Sequence, residues 1–102
     1  MNKRRALLIF LFVSSASFAA DTLPRDVRNF IDNAAECEHF AGEVGSDLPK
    51  RDHDAMIDNI NRYCKAAKTQ YKVLLEKYKG NASLVKKIKA GYNDTVDSYT
   101  ED

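Results

Sequence analysis

With 102 residues and two cysteines, the chain has room for one small domain and for no second one. Sixteen basic against fifteen acidic side chains leave it almost uncharged overall, and its acidic stretches would repel nucleic acid, which is not expected as a partner. A core of this size supplies only a few kcal/mol, so a covalent or metal staple is expected.

The first nineteen residues have the layout of a secretory signal peptide. Lys3, Arg4 and Arg5 make a charged head, "ALLIFLFV" an apolar run and "SFA" a small-residue cleavage end. The run is far shorter than the roughly 20 residues that cross a bilayer, so cleavage after Ala19 is expected rather than retention as an anchor. No cysteine follows the cut to take a lipid. Losing three bases with the leader leaves thirteen bases against fifteen acids, a net charge of −2. The expected product, residues 20–102, is a periplasmic or secreted single domain that does not span the membrane.

That product reads as all-α, since no useful stretch shows strand alternation. A first helix is predicted over about 23–42, with Thr22 as N-cap and Pro24 in its first turn. Val27, Phe30, Ile31, Ala34, Cys37, Phe40, Ala41 and Val44 form its apolar stripe. A second helix, predicted over about 50–79, carries Met56, Ile57, Ile60, Tyr63, Cys64, Ala67, Tyr71, Leu74, Leu75 and Tyr78 at threes and fours. Gly80 and Asn81 are expected to end it as a left-handed cap and turn. A third helix over about 82–98 carries Leu84, Val85, Ile88, Tyr92, Val96 and Tyr99. Three short-linked amphipathic helices imply a three-helix bundle, or a helical hairpin with a third helix laid across it.

Cys37 and Cys64 sit on the apolar stripes of different helices, and an oxidising compartment favours their pairing. A tight hairpin turning near Pro49 would offset the two along the axis by roughly 15 Å at 1.5 Å per residue. A disulfide tolerates about 4.4–6.8 Å between Cα atoms. The connection "GEVGSDLPKRDHD" must therefore climb along the bundle, or the second helix must begin late, near Asp52.

Metal or catalytic chemistry has little to draw on. Glu36, His39 and Glu43 share one helical face, and His53 is a further weak ligand candidate, but no HExxH or CxxC spacing occurs. The direct neighbours Cys37, Glu38 and His39 point to different sides of a helix and make no nucleophile and base couple. No nucleophile elbow, glycine-rich phosphate loop or paired-carboxylate motif is present, so no enzyme and no cofactor are expected.

Charge is sorted along the chain. Residues 20–61 carry ten acids and four bases, residues 62–90 nine bases and one acid, and residues 91–102 four acids. Acidic helix one beside basic helix two is one account of this pattern; a basic face steering toward an anionic partner is the other. Lys65, Lys68, Lys72 and Lys79 recur at helical spacing, and Tyr71 and Tyr78, Tyr92 and Tyr99 recur at intervals of seven. Tyrosine suits the rim of a thin core and also a binding surface. These eight residues are the candidate binding face.

The segment Cys37-Glu38-His39-Phe40-Ala41-Gly42-Glu43, followed by Tyr63-Cys64 ahead of a Tyr/Lys-rich helix, resembles a group of small secreted proteins of Gram-negative bacteria. The likeness spans most of residues 25–90 and implies the compartment and the two-cysteine helical build, with no activity attached. In size and compartment the chain is also similar to periplasmic acid-stress chaperones, although its cysteines lie much closer together. The functional expectation is a non-enzymatic binding protein of inhibitor or immunity type, meeting an envelope protein or an anionic envelope component. An acid-stress or envelope-stress chaperone and a metal-sequestering protein are the alternatives.

Overall fold

The computed structural model describes residues 22–45 and 47–100; the expected signal peptide, residues 1–19, lies outside them. Among the described residues four helices follow one another, α1 (Arg25–Glu43), α2 (Lys50–Lys77), α3 (Ala82–Gly91) and α4 (Asp94–Ser98), and there is no strand. The fold is all-α, a helical hairpin of α1 and α2 with the shorter pair laid against it.

The hairpin is antiparallel. As α1 is followed from Asp26 through Phe30, Asn33, Cys37 and Phe40, the partners on α2 and its end run back through Tyr78, Tyr71, Gln70, Cys64 and Tyr63. The core of this seam is Val27, Phe30, Ala34 and Cys37 against Cys64, Ala67 and Leu74, closed by Ile88 and Val96. Ile31, Ile60, Leu75 and the five tyrosines pack round it half-buried.

Cys37 and Cys64 form the staple, with Cα atoms 4.7 Å apart. Cys37 precedes the end of α1 by six residues and Cys64 follows the start of α2 by fourteen. The difference of eight residues leaves about 12 Å of α2 projecting beyond α1. The link 44–49 spans it, being long enough to reach roughly 20 Å when extended. Of the two ways to bring the cysteines level, the climbing connection is the one used, and α2 starts at Lys50 rather than near Asp52. The overhang lies outside the core: Arg51, Asp52, Asp54, Ala55 and Asp58 are exposed, and Ile57 is 37% exposed.

Three local expectations are corrected. Pro24, not Thr22, is the N-cap of α1, and no side chain caps it. No described glycine or other residue has positive φ, so Gly80 and Asn81 form no left-handed cap; α2 ends at Lys77 with Tyr78 as its C-cap. Asn81 instead starts α3, its Oδ1 accepting from the backbone N–H of Leu84 at 3.1 Å.

The third correction is that 82–98 is two helices. Tyr92 is extended, and Asn93 restarts the chain as N-cap, accepting from the N–H of Val96 at 2.9 Å while its Nδ2 donates to the carbonyl of Ala34 at 3.0 Å. At the break Gly91 lies so close to α1 that a Cβ would stand 3.1 Å from Ile31 Cγ1 and 3.2 Å from Phe30 Cε2. This close approach lets the chain turn, so that Tyr92 stacks on Tyr71 at 3.8 Å while Val96 is fully buried.

At the open end of the hairpin, Asp26 accepts from Lys77 Nζ at 2.6 Å, from Tyr78 Oη at 3.0 Å and from the N–H of Val27 at 2.8 Å. The hydrogen bond from Lys77, aided by that of Tyr78, holds its carboxyl below the usual value. A depressed folded value means that the stabilisation is complete above the unfolded pKa near 3.8 and is lost as pH falls through the lower folded one. Lys77 is raised by the same pairing, so the alkaline limit of the interaction lies above 10.5. Asp26→Asn is therefore expected to lower the thermal midpoint modestly at pH 6, because the pair is exposed and screened, and by less as pH falls below 3.8 towards pH 2. A midpoint difference that stays the same at both pH values would show that the carboxylate charge is not what matters.

Candidate functional site

Of the eight residues proposed as a binding face, Lys65, Lys68, Lys72 and Tyr99 line one surface cavity, and Lys79, Tyr71, Tyr78 and Tyr92 lie elsewhere. Four of the positions are tyrosines turned to internal work. Tyr71 lies between Phe30, at 5.9 Å, and Tyr92, at 3.8 Å, both stacked. Tyr78 donates to Asp26, and Tyr92 donates to Asp97 Oδ1 at 2.9 Å, its hydroxyl pushed up to about 12 by burial and by that carboxylate. Tyr99 donates to Asn61 Oδ1 at 3.0 Å. Tyr63 behaves likewise, stacked on Phe40 at 5.6 Å under the Arg62 guanidinium. The tyrosines thus occupy the rim of the core.

The lysines divide. Lys79 reaches back one turn to Glu76 at 2.6 Å. Lys65, Lys68 and Lys72 come together along one edge of α2, where they line a surface cavity of about 570 Å³ between that helix and the C-terminal segment. Thr69 and Val73 continue the lining on α2, and Tyr99 and Thr100 supply the opposite wall. Core positions 64, 67, 71 and 74 face inward; at 100° per residue Val73 lies on roughly the opposite side of α2 and is 58% exposed.

Lys68 sits at the boundary between site and scaffold. Its ammonium donates to the carbonyls of Asp97, at 2.9 Å, and Tyr99, at 2.7 Å, gathering the carbonyls that the end of α4 leaves without helical partners. This pins the C-terminal segment along α2 and so builds the far wall of the cavity. An ammonium has three donors, and two are used in this way.

Charge pairing between the hairpin helices is present in the Asp26–Lys77 pair. Elsewhere Asp32, Glu38 and Glu43 on α1, and Lys72, Lys86, Lys87 and Lys89 on α2 and α3, are exposed.

The weak metal candidates are not gathered into a site. Among the described residues no group of three or more His, Cys, Asp or Glu side chains is placed to hold an ion, and Glu36, His39, Glu43 and His53 converge on nothing. His39 packs edge-on against Phe40 at 5.1 Å, and His53 Nδ1 lies 3.9 Å from Asp54. Both cysteines are consumed by the disulfide, and the described residues hold no free thiol. No helix among them is long and apolar enough to cross a membrane.

These features define a disulfide-stapled helical hairpin with a basic, partly apolar surface cavity on α2. Comparison with known proteins finds no matching family model, no curated relative and no similar solved structure.

Thr69, Val73 and Thr100 were not among the candidate residues. Val73 had a visible signal, an apolar β-branched residue on the polar face of α2, off the stripe that the helix buries.

Proposed function

We propose that this chain is a non-enzymatic binding protein of the periplasm or the secreted fraction, and that the Lys65, Lys68 and Lys72 cavity is where it meets an anionic component of the envelope or an acidic envelope protein. The observation that carries the reading is the lining itself. Three cationic side chains edge a cavity whose wall includes the largely exposed Val73, a combination that solubility alone does not call for. The leader pattern, the disulfide and the lack of a free thiol among the described residues support the compartment. Proteins of inhibitor or immunity type share this mode of action, binding through a surface rather than turning over a substrate.

The test is a pull-down from envelope extract with the oxidised chain at low and high salt, against a Lys72→Glu variant. Lys68 is left intact because it holds the C-terminal segment, and Lys79 because it pairs with Glu76. A component retained at low salt, released at high salt and lost in the variant is the expected result. Retention that is indifferent to the charge reversal, or nothing retained at either salt, would overturn the reading.

A further inference from the structure

Beyond that reading, we propose that the outward face of α1 is an interface with a second copy of this chain. The two copies lie antiparallel, so that the basic end of each meets the acidic end of the other.

The antiparallel hairpin turns the charge order of the sequence into a difference between two ends. At one end lie residues 22–31 and 72–91, since α3 shares a surface cavity with Thr22 and Pro24 at its start and lies against Phe30 and Ile31 at Gly91. They hold eight bases and two acids, and both acids, Asp26 and Glu76, are already paired with Lys77 and Lys79. Residues 32–58, at the other end, hold eight acids and two bases. The ends therefore carry net charges of +6 and −6. Their centres on α2 are about twenty residues apart, roughly 30 Å at 1.5 Å per residue. That is several times the Debye length of about 8 Å at physiological salt, so the ends do not neutralise each other within one molecule.

One face shows both signs in series. At 100° per residue Arg25, Arg28, Asp32, Glu36 and Glu43 fall within roughly 80° of one another on α1, on the side away from its buried stripe. All are exposed except Glu36, which is half-buried, and the ion pairs among the described residues use none of them. Gly42, beside the row, has nothing packed over it. From N- to C-terminus the row runs basic, basic, acidic, acidic, acidic. Laid antiparallel on its own copy, such a row sets unlike charges opposite each other; laid parallel, it sets like charges together.

Symmetry decides the stoichiometry. An antiparallel pair uses both ends of both copies in one contact and closes as a two-fold dimer, whereas end-to-end stacking leaves an end open at each step. Sixteen bases against fifteen acids let a copy approach without net repulsion. Exposed ion pairs contribute little one by one, so the dimer is weak and depends on several pairs at once.

The test is sedimentation equilibrium of the oxidised chain at about 0.01 M and about 0.5 M salt. A monomer–dimer equilibrium is expected, with a dissociation constant at least about tenfold weaker at the higher salt. An Arg25→Glu, Arg28→Glu variant and an Asp32→Lys, Glu43→Lys variant change exposed positions only, and each should be monomeric at both salts. Mixed in equal amounts, the two should form a dimer with one copy of each, because each supplies the charge that the other has lost. The wild-type salt dependence tests the proposal without any variant. A wild-type monomer at both salts, a dimer indifferent to salt or to the reversals, association that continues past the dimer, or a mixture that stays monomeric would overturn it. The result is separate from that of the envelope pull-down, whose variant changes α2.

Discussion

Phe30→Ala is expected to destabilise the domain by about 3–5 kcal/mol, a large part of what a chain this short can have. Phe30 is fully buried and is the largest of the fully buried side chains. Its ring meets Tyr71 on α2 and lies beside Gly91 at the break between α3 and α4, so one side chain joins three elements. The cavity left behind could collapse little, since Gly91 has no side chain to swing into it and the α1–α2 seam is stapled at Cys37. At 4–8 °C per kcal/mol for a domain of about this length, the thermal midpoint should fall by more than about 10 °C. Val73→Ala is the matched control: it removes apolar carbons at a 58% exposed position and should stay within about 0.5 kcal/mol. Urea denaturation of both variants gives the comparison. A cost under about 1 kcal/mol for Phe30→Ala would mean that the core is not organised round this ring.

The architecture was legible because its signals are periodic. Val27, Phe30, Ala34 and Cys37, and then Cys64, Ala67 and Leu74, recur at threes and fours, and those are the positions that the hairpin buries. The staple followed from two cysteines on facing stripes. The third helix was misread for a physical reason: Ile88, Tyr92 and Val96 keep helical spacing straight through the break, so periodicity reports one helix where packing makes two. The local chemistry told otherwise. Asn93 followed by Asp94 is a capping signal of the same kind as Asn81 ahead of Ala82, and Gly91 just before it is the only residue type that fits against Ile31 and Phe30 without displacing them.

The candidate face was legible only in part. Sequence spacing placed Lys65, Lys68 and Lys72 on one edge of α2, where the structure has them, because spacing along a single helix is local information. The tyrosines needed tertiary information. Whether Tyr71 faces solvent or a second ring depends on where α3 ends and on Tyr92 folding back over it, and no period records that. Lys68 shows the same limit. Its spacing marks it as one more surface cation, whereas its partners are carbonyls about thirty positions further along the chain.

Removing the disulfide should have an effect similar in size to the loss of Phe30 but different in kind. Cys37 and Cys64 are 27 residues apart, for which the chain-entropy relation gives about 3.5 kcal/mol at 25 °C. Nearly all of that acts on the unfolded chain, which loses freedom when a loop is closed; the folded seam already has both residues fully buried and side by side. A Cys37→Ala, Cys64→Ala variant should therefore keep the wild-type helical circular dichroism at low temperature and yet unfold at much lower urea. Its dependence on denaturant should steepen, because an uncrosslinked unfolded chain exposes more surface. Phe30→Ala acts on the folded core and should leave that slope near the wild-type value, so the two losses are separable by slope although their sizes overlap. The staple also sets the level at which α2 passes α1, and with it the overhang from Lys50 and the climbing link 44–49. Retention of wild-type stability within about 1 kcal/mol by the double variant would show that the helical seam holds this register without the bond.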